Sequence, residues 1–285
     1  MKYRLINAPI KEDYARNLLK CRGVVDYDYF INPSENSLIN PLKLNNIHEG
    51  FDLLKTNILQ GNKIIIVIDC DVDGFTSAAI LWCRIKEFDP KANLEYRIHS
   101  GKQHGLEDII NEFEESNNLP SLVILPDASS NDYEYHTRLK NMGVNVLVLD
   151  HHEADYESED AIVINNQLSE NYENKALTGA GVVWQFCNYF DECVGQNGTS
   201  YKYIDLAALG IISDMASVLT LENRYIISNG LKNINNYFFQ TILDKQAFSI
   251  GSKLVPWKVS FYVTPLINAL IRVGTMEEKE KLFQA

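Results

Sequence analysis

No apolar run in this chain approaches the roughly 20 residues that a membrane-spanning helix needs. The greasiest stretch, IIIVI at 64–68, is a strand-length segment. Thiol pairing is equally absent. The five cysteines, Cys21, Cys70, Cys83, Cys187 and Cys193, are odd in number and form no CxxC, which argues against a disulfide framework and a structural zinc site. There is no internal repeat and no low-complexity linker. The opening MKYRLINAPIKEDYARN has no apolar signal core, so a cytoplasmic protein is expected. Positive charge is in short supply: 26 Lys and Arg against 38 Asp and Glu give a net charge of −12. That excludes broad nucleic-acid binding by charge alone. It leaves room for a local basic groove, and for carboxylates that hold metal.

What is present is a βα rhythm. KIIIVID (63–69), LEYRIHS (94–100), SLVILPD (121–127), VNVLVLD (144–150) and AIVINN (161–166) read as strands. Helical patterns at 75–88, 105–116 and 131–142 lie between the first four. The alternation predicts an α/β fold with a parallel sheet and helices on both faces. Residues 1–60 read as a helical lead-in with a loop at INPSENSLINP, and 61–170 as the sheet core. Residues 171–285 read as mainly helical, with one further strand expected at 257–265. Ligands in such sheets bind beyond the carboxyl ends of the strands.

Three strands end in aspartate at that edge. The first ends at Asp69, with Asp71 and Asp73 just beyond; the third ends at Asp127; the fourth ends at Asp150, followed by His151 and His152. Uncompensated carboxylates this close repel one another, so a cation is expected among them. Oxygen ligands with imidazole and no thiolate suit Mn²⁺ or Mg²⁺. Two ions would suit phosphoester hydrolysis. Singly, each aspartate has an ordinary alternative as a helix cap. Asp69-Cys70-Asp71-Val72-Asp73-Gly74 also looks like the start of a calcium loop, but it follows a strand, and Ile80 stands where the twelfth-position carboxylate belongs.

DCDVDG, LPDAS, LDHH and ALGIISDMASVL with ENR resemble, in that order, the four motifs of the DHH phosphoesterases, most closely the catalytic core of the RecJ single-strand-specific 5′→3′ exonucleases. RGVVDYDYFINPS, PLKLNNIHEGFDLL, YRIHSGKQHGL and PLINALIR extend the resemblance over nearly the whole chain. It implies a DHH-type fold and a two-metal hydrolase that degrades single-stranded DNA to mononucleotides in repair, recombination or replication. By position it implies Asp69, Asp71, Asp127, His151 and Asp214 as metal ligands. It implies His152 and Asp73 at the chemistry, Asp73 chiefly in support, with Asp150 orienting an imidazole. Arg97, Arg272 and His104 are implied at the substrate phosphates; an ordinary surface ion pair is the alternative for the arginines.

The pattern is broken in three places. DAS stands for the usual DCG, INALIR for INAAGR and HGL for YGL. Nothing resembles the DHH-associated and OB domains of RecJ, so the expectation is a fragment, a catalytic domain alone, or one part of a split enzyme whose grip on DNA comes from another chain or domain. Two rival functions remain open at this stage. One is a DHH phosphodiesterase acting on short oligoribonucleotides or cyclic dinucleotides. The other is a silent DHH scaffold in a DNA-processing complex.

Overall fold

The computed structural model describes residues 13–285; the first twelve residues of the expected lead-in lie outside them. Helices α1 (Tyr14–Cys21), α2 (Tyr27–Ile31) and α3 (Ile47–Leu59) come first, with short 3-10 turns at Glu35–Ser37 and Pro41–Lys43 between the last two. The βα core follows: β1 (Ile64–Ile68), α4 (Val72–Phe88), β2 (Leu94–Ile98), α5 (Ile110–Glu115), β3 (Leu122–Pro126), α6 (Tyr133–Asn141), β4 (Asn145–Asp150) and β5 (Ile162–Asn165). The remainder is helical: α7 (Gly179–Cys193), α8 (Ile204–Ser213), α9 (Leu221–Gly230), α10 (Tyr237–Lys245), α11 (Ala247–Ile250), α12 (Pro256–Tyr262), α13 (Thr264–Val273) and α14 (Met276–Gln284).

The five strands form one parallel sheet in the order β2-β1-β3-β4-β5. Successive side chains point to opposite faces, and both faces are covered, so the strands are apolar throughout rather than alternating. Ile64, Ile66, Ile68, Leu122, Ile124, Leu147 and Leu149 enter the larger core with α3, α4, α7 and α8. Ile65, Val67, Val123, Leu125, Val146 and Val148 enter a smaller one with α5 and α6. The helix after β1 therefore lies on one face and those after β2 and β3 on the other. The winding reverses between β1 and β3, and an open sheet leaves its ligand crevice at such a reversal.

Three expectations need correction. The helix expected from 75 starts at Val72, because Asp71 caps it: its side chain accepts from the Gly74 N–H at 3.0 Å. The helix expected over 105–116 is only Ile110–Glu115. Gly105 has φ +58, outside the right-handed helical region, and the loop it belongs to is drawn onto the turn between β3 and α6 by the Leu106 N–H, which donates to Asp132. The strand expected at 257–265 is two helices, α12 and α13. Val259 and Val263, one turn apart, are both fully buried, and Pro256 and Pro265 sit where helices tolerate proline. An i, i+4 apolar face packed on the core overrode the local β-propensity.

Glu222 of the ENR stretch joins the helical part to the lead-in. Buried on α9, it accepts from the Ile39 N–H, Tyr172 Oη, Asn174 Nδ2 and Gln185 Nε2. Four donors satisfy one buried carboxylate.

Candidate metal centre

The ends of β1, β3 and β4 converge. Asp69, Asp71 and Asp127 each present a ligand atom within 4.8 Å of the others, and so do Asp127, Asp150, His151 and His152. Asp127 links the two groups. Its backbone N–H continues the ladder to the Leu149 carbonyl at 2.8 Å, and its φ of +67 turns the chain sharply out of β3. Aspartate is among the few residue types that visit this region. Ser129, where the resemblance has glycine, also has positive φ (+82), and its hydroxyl donates to Asp132 at 2.8 Å.

Burial pushes the Asp127 carboxyl well above the ordinary range, and the neighbouring Asp73, Asp71, Asp150 and Asp69 add to the shift. Burial likewise raises Asp69 and Asp214, with opposition from His104 and His151 respectively. His151 Nε2 lies 3.2 Å from Asp127 Oδ1 without the alignment of a hydrogen bond, so that buried oxygen has no hydrogen-bond partner among the described residues. A crowd of buried carboxylates with an orphaned oxygen facing an imidazole is what a divalent-cation site requires of its ligands. The residues present therefore fit such a group. Asp214, the C-cap of α8, is exposed; its charge interacts with Asp71, His151 and His152 across the same space.

The two histidines differ. Asp150 is fully buried and accepts from the backbone N–H groups of His151 (2.7 Å) and Ser130 (3.0 Å), and from His152 Nδ1 at 2.8 Å. Against the burial that would raise it, these bonds hold Asp150 well below the usual carboxylate range. The same Asp150 bond pushes His152 up to about 9. Asp150 thus fixes the His152 ring, with 58 % of its side chain exposed, whereas His151 is inside among the carboxylates. The imidazole that Asp150 orients is that of His152.

Three expected site residues have other employment. Asp73 spends its carboxylate on the start of α7: it accepts from Thr178 Oγ1 (2.9 Å) and from the Gly179 (2.8 Å) and Ala180 (3.2 Å) N–H groups. It caps a helix from a distance of over a hundred residues, and its Oδ2 also lies 3.9 Å from His151 Nε2. Arg97 is paired with Glu112 (2.7 Å) and Glu95 (3.2 Å), the ordinary ion-pair alternative. His104 Nδ1 sits on Asp69, at 2.8 Å from Oδ2 and 3.0 Å from Oδ1. Arg272, at the end of α13, is exposed, and its charge is felt at Cys70 beside Asp69.

The sequence did not flag the residues that make room. A Cβ at Gly179 would lie 2.3 Å from Asp127 Oδ1, one at Gly210 2.3 Å from Asp73 Oδ1, and one at Gly74 2.6 Å from Asp69 Cβ. The small-residue run Thr178-Gly179-Ala180-Gly181 was the available signal. Nor did it flag Asn165 and Gln167, whose amides hold the His152 carbonyl (2.9 Å) and the His151 carbonyl (3.1 Å). They sit one strand away, where no local pattern connects them to the histidines.

Comparison with known proteins gives the family of the chain and relatives of its fold. The model of the DHH family, N-terminal domain, matches residues 63–211. A Bacillus subtilis (strain 168) protein named putative SPbeta prophage-derived single-strand DNA-specific exonuclease YorK is 41% identical over 286 residues, which is 100% of this chain and 49% of that protein. The single-stranded-DNA-specific exonuclease RecJ of Thermus thermophilus is 29% identical over 85% of this chain and 35% of its own length. The crystal structure of that organism's RecJ in complex with Mn²⁺ is similar with a TM-score of 0.73 at 27% identity, covering 90% of this chain and 36% of that one. The chain thus spans half or less of the length of these relatives.

Proposed function

The chain belongs to the DHH family, and on that premise we propose that it is a divalent-cation-dependent phosphodiesterase acting as an exonuclease on single-stranded DNA, the substrate that its relatives' names give, and that it removes nucleotides from the 5′ end. The observation that carries the reading is the meeting of Asp69, Asp71, Asp127 and His151 at the β1/β3 reversal, with a buried Asp127 oxygen left without a hydrogen-bond partner among the described residues. Together with Asp214, these residues would hold two cations, and Mn²⁺ is the ion named with the similar RecJ structure. When bound, such ions supply Lewis acidity toward a phosphoryl oxygen and toward water.

The chain's own residues supply the rest. Asp150 fixes the His152 ring by its Nδ1 side, which leaves the Nε2 proton available to the substrate. As a water oxygen bonds to phosphorus and the bond from phosphorus to the 3′ oxygen breaks, that proton goes to the 3′ oxygen and the water gives one proton to solvent, leaving a 3′-hydroxyl on the released nucleotide and a 5′-phosphate on the shortened strand. Arg272 adds positive charge at the rim of an otherwise acidic site. Its role there is to hold a flanking phosphate.

The decisive assay incubates single-stranded DNA, labelled at one end or the other, with the protein and Mn²⁺. Mononucleotides released first from the 5′ end are expected. Release from the 3′ end would overturn the polarity, and preference for a dinucleotide over a long strand would favour a small-substrate enzyme. Absence of hydrolysis with every substrate would favour a scaffold.

The histidine pair gives a second test. His152→Ala should keep cation binding and lose roughly 10²-fold in single-turnover rate, since a proton donor is removed. His151→Ala should weaken cation binding, so that added Mn²⁺ partly restores the rate. Calorimetric titration beside the rates separates the two, and swapped signatures would reverse the roles.

A further inference from the structure

The Asp69 side of the centre carries an imidazole that the ligand set above does not use. His104 Nδ1 lies 2.8 and 3.0 Å from the two Asp69 oxygens, and Asp69, Cys70 and His104 form a third compact group of potential ligand atoms. Adjacent ligands of a near-octahedral ion with bonds of about 2.0–2.1 Å are about 3 Å apart. The His104–Asp69 spacing therefore matches a pair that shares one ion as well as it matches a hydrogen bond. On the other side, His151 Nε2 stands 3.2 Å from Asp127 Oδ1. The carboxylate trio is thus flanked by an imidazole at each end.

The loop that carries His104 is built into the site. Leu106 N–H donates to Asp132 Oδ2 at 3.1 Å, and the Ser129 hydroxyl donates to the same oxygen at 2.8 Å. Gly105 passes so close that a Cβ would fall 2.4 Å from Asp132 Oδ2 and 2.5 Å from Ser129 Oγ. At the other end of the loop, His99 Nδ1 is 2.7 Å from Asp108, and the buried Lys279 donates to the His99 and Ser100 carbonyls at 3.0 and 2.9 Å. Ser129 and Asp132 belong to the turn that begins at Asp127, so one turn positions both the central carboxylate and the His104 loop. Burial pushes the Cys70 thiol, whose Sγ lies 3.7 Å from His104 Nε2, up to about 11.

We propose that His104 is a second imidazole ligand, completing the shell of the cation held by Asp69 and biasing that site toward manganese over magnesium. The ring turns its Nδ1 to the Asp69 oxygens and its Nε2 toward Cys70 Sγ at 3.7 Å. Imidazole suits the later first-row ions, whereas magnesium is best served by oxygen. The proposal rests on the divalent-cation reading above, and its test is chosen so that the two can fail separately.

The protein is loaded with substoichiometric Mn²⁺ over saturating Mg²⁺, so that each Mn²⁺ is magnetically isolated. Pulsed EPR then reads coupling to histidine nitrogen, with and without ¹⁵N-histidine. Wild type, His104→Phe and His104→Gln are compared, with melting in EDTA as the check that the variants fold. Loss of one class of nitrogen coupling in both variants is expected. Calorimetry should show a fall of about tenfold or more in Mn²⁺ affinity, the scale of losing one ligand-shell contact, with Mg²⁺ affinity changed less. Nitrogen couplings unchanged in both variants would overturn the assignment and leave His104 as a hydrogen-bond partner of Asp69. Wild-type protein that binds neither ion would overturn the cation reading itself.

Discussion

Asp127→Asn should leave a folded protein with turnover reduced roughly 10³-fold or more, since removing a shared ligand costs several kcal/mol of transition-state stabilisation. Asparagine is the informative replacement. It keeps the shape and tolerates the φ of +67 that alanine would find strained. The same substitution should raise stability when cations are withheld. Burial and four neighbouring carboxylates raise the native Asp127 carboxyl well above its unfolded value. A carboxyl raised on folding is ionised more readily in the unfolded chain, so the wild type loses stability as pH rises above the ordinary carboxylate range. The asparagine variant has no such loss at this position. Melting in EDTA at acidic and at neutral pH should therefore show the variant gaining on the wild type as pH rises. A variant that melts lower at neutral pH, or that keeps its activity, would contradict this view of the centre.

Gly179→Ala should be nearly as damaging to activity, although this residue carries no chemistry. The added Cβ would lie 2.3 Å from Asp127 Oδ1, 2.5 Å from its Cβ and 2.6 Å from its Cγ. Alanine ordinarily gains about 0.5–1 kcal/mol over glycine within a helix. Here overpacking, at about 1–3 kcal/mol, opposes and exceeds that gain. The helix cannot withdraw cheaply, because the Gly179 and Ala180 N–H groups are bonded to Asp73. Asp127 moves instead, and the cation geometry goes with it. Gly181→Ala, two residues along the same helix, is the control. Its Cβ would meet Leu177 Cδ1 at 2.3 Å, a side chain outside the centre. Both variants should melt lower than the wild type, but only Gly179→Ala should lose activity per folded molecule, by roughly 10²-fold or more for a ligand displaced by about an ångström. Equal activities would show that the helix gives way rather than the ligand.

Much of this centre could be read before any coordinates. Strands that end in aspartate and alternate with helices can hardly avoid bringing Asp69, Asp127 and Asp150 to one edge, because each helical crossover returns the chain to start the next strand in the same direction. The capping of α4 by Asp71 is similarly local, since its partner Gly74 is three residues away. Other features rest on contacts between residues far apart in the chain. That β1 lies beside β3 depends on which face each crossover helix finds apolar, a property of the assembled cores. Asp73 lies in a motif rich in carboxylates, and nothing local tells that it also accepts from three donors at the start of α7, more than a hundred residues later. Residues 257–265 have the composition of a strand, yet they are helical because Val259 and Val263 find a core one helical turn wide. His104 reaches Asp69 only because Asp132 and Gly105 hold its loop against the turn between β3 and α6. Local propensity and period are written in neighbouring residues. Caps, close approaches and shared ligands between distant segments have no period, and they come into being only when the elements pack.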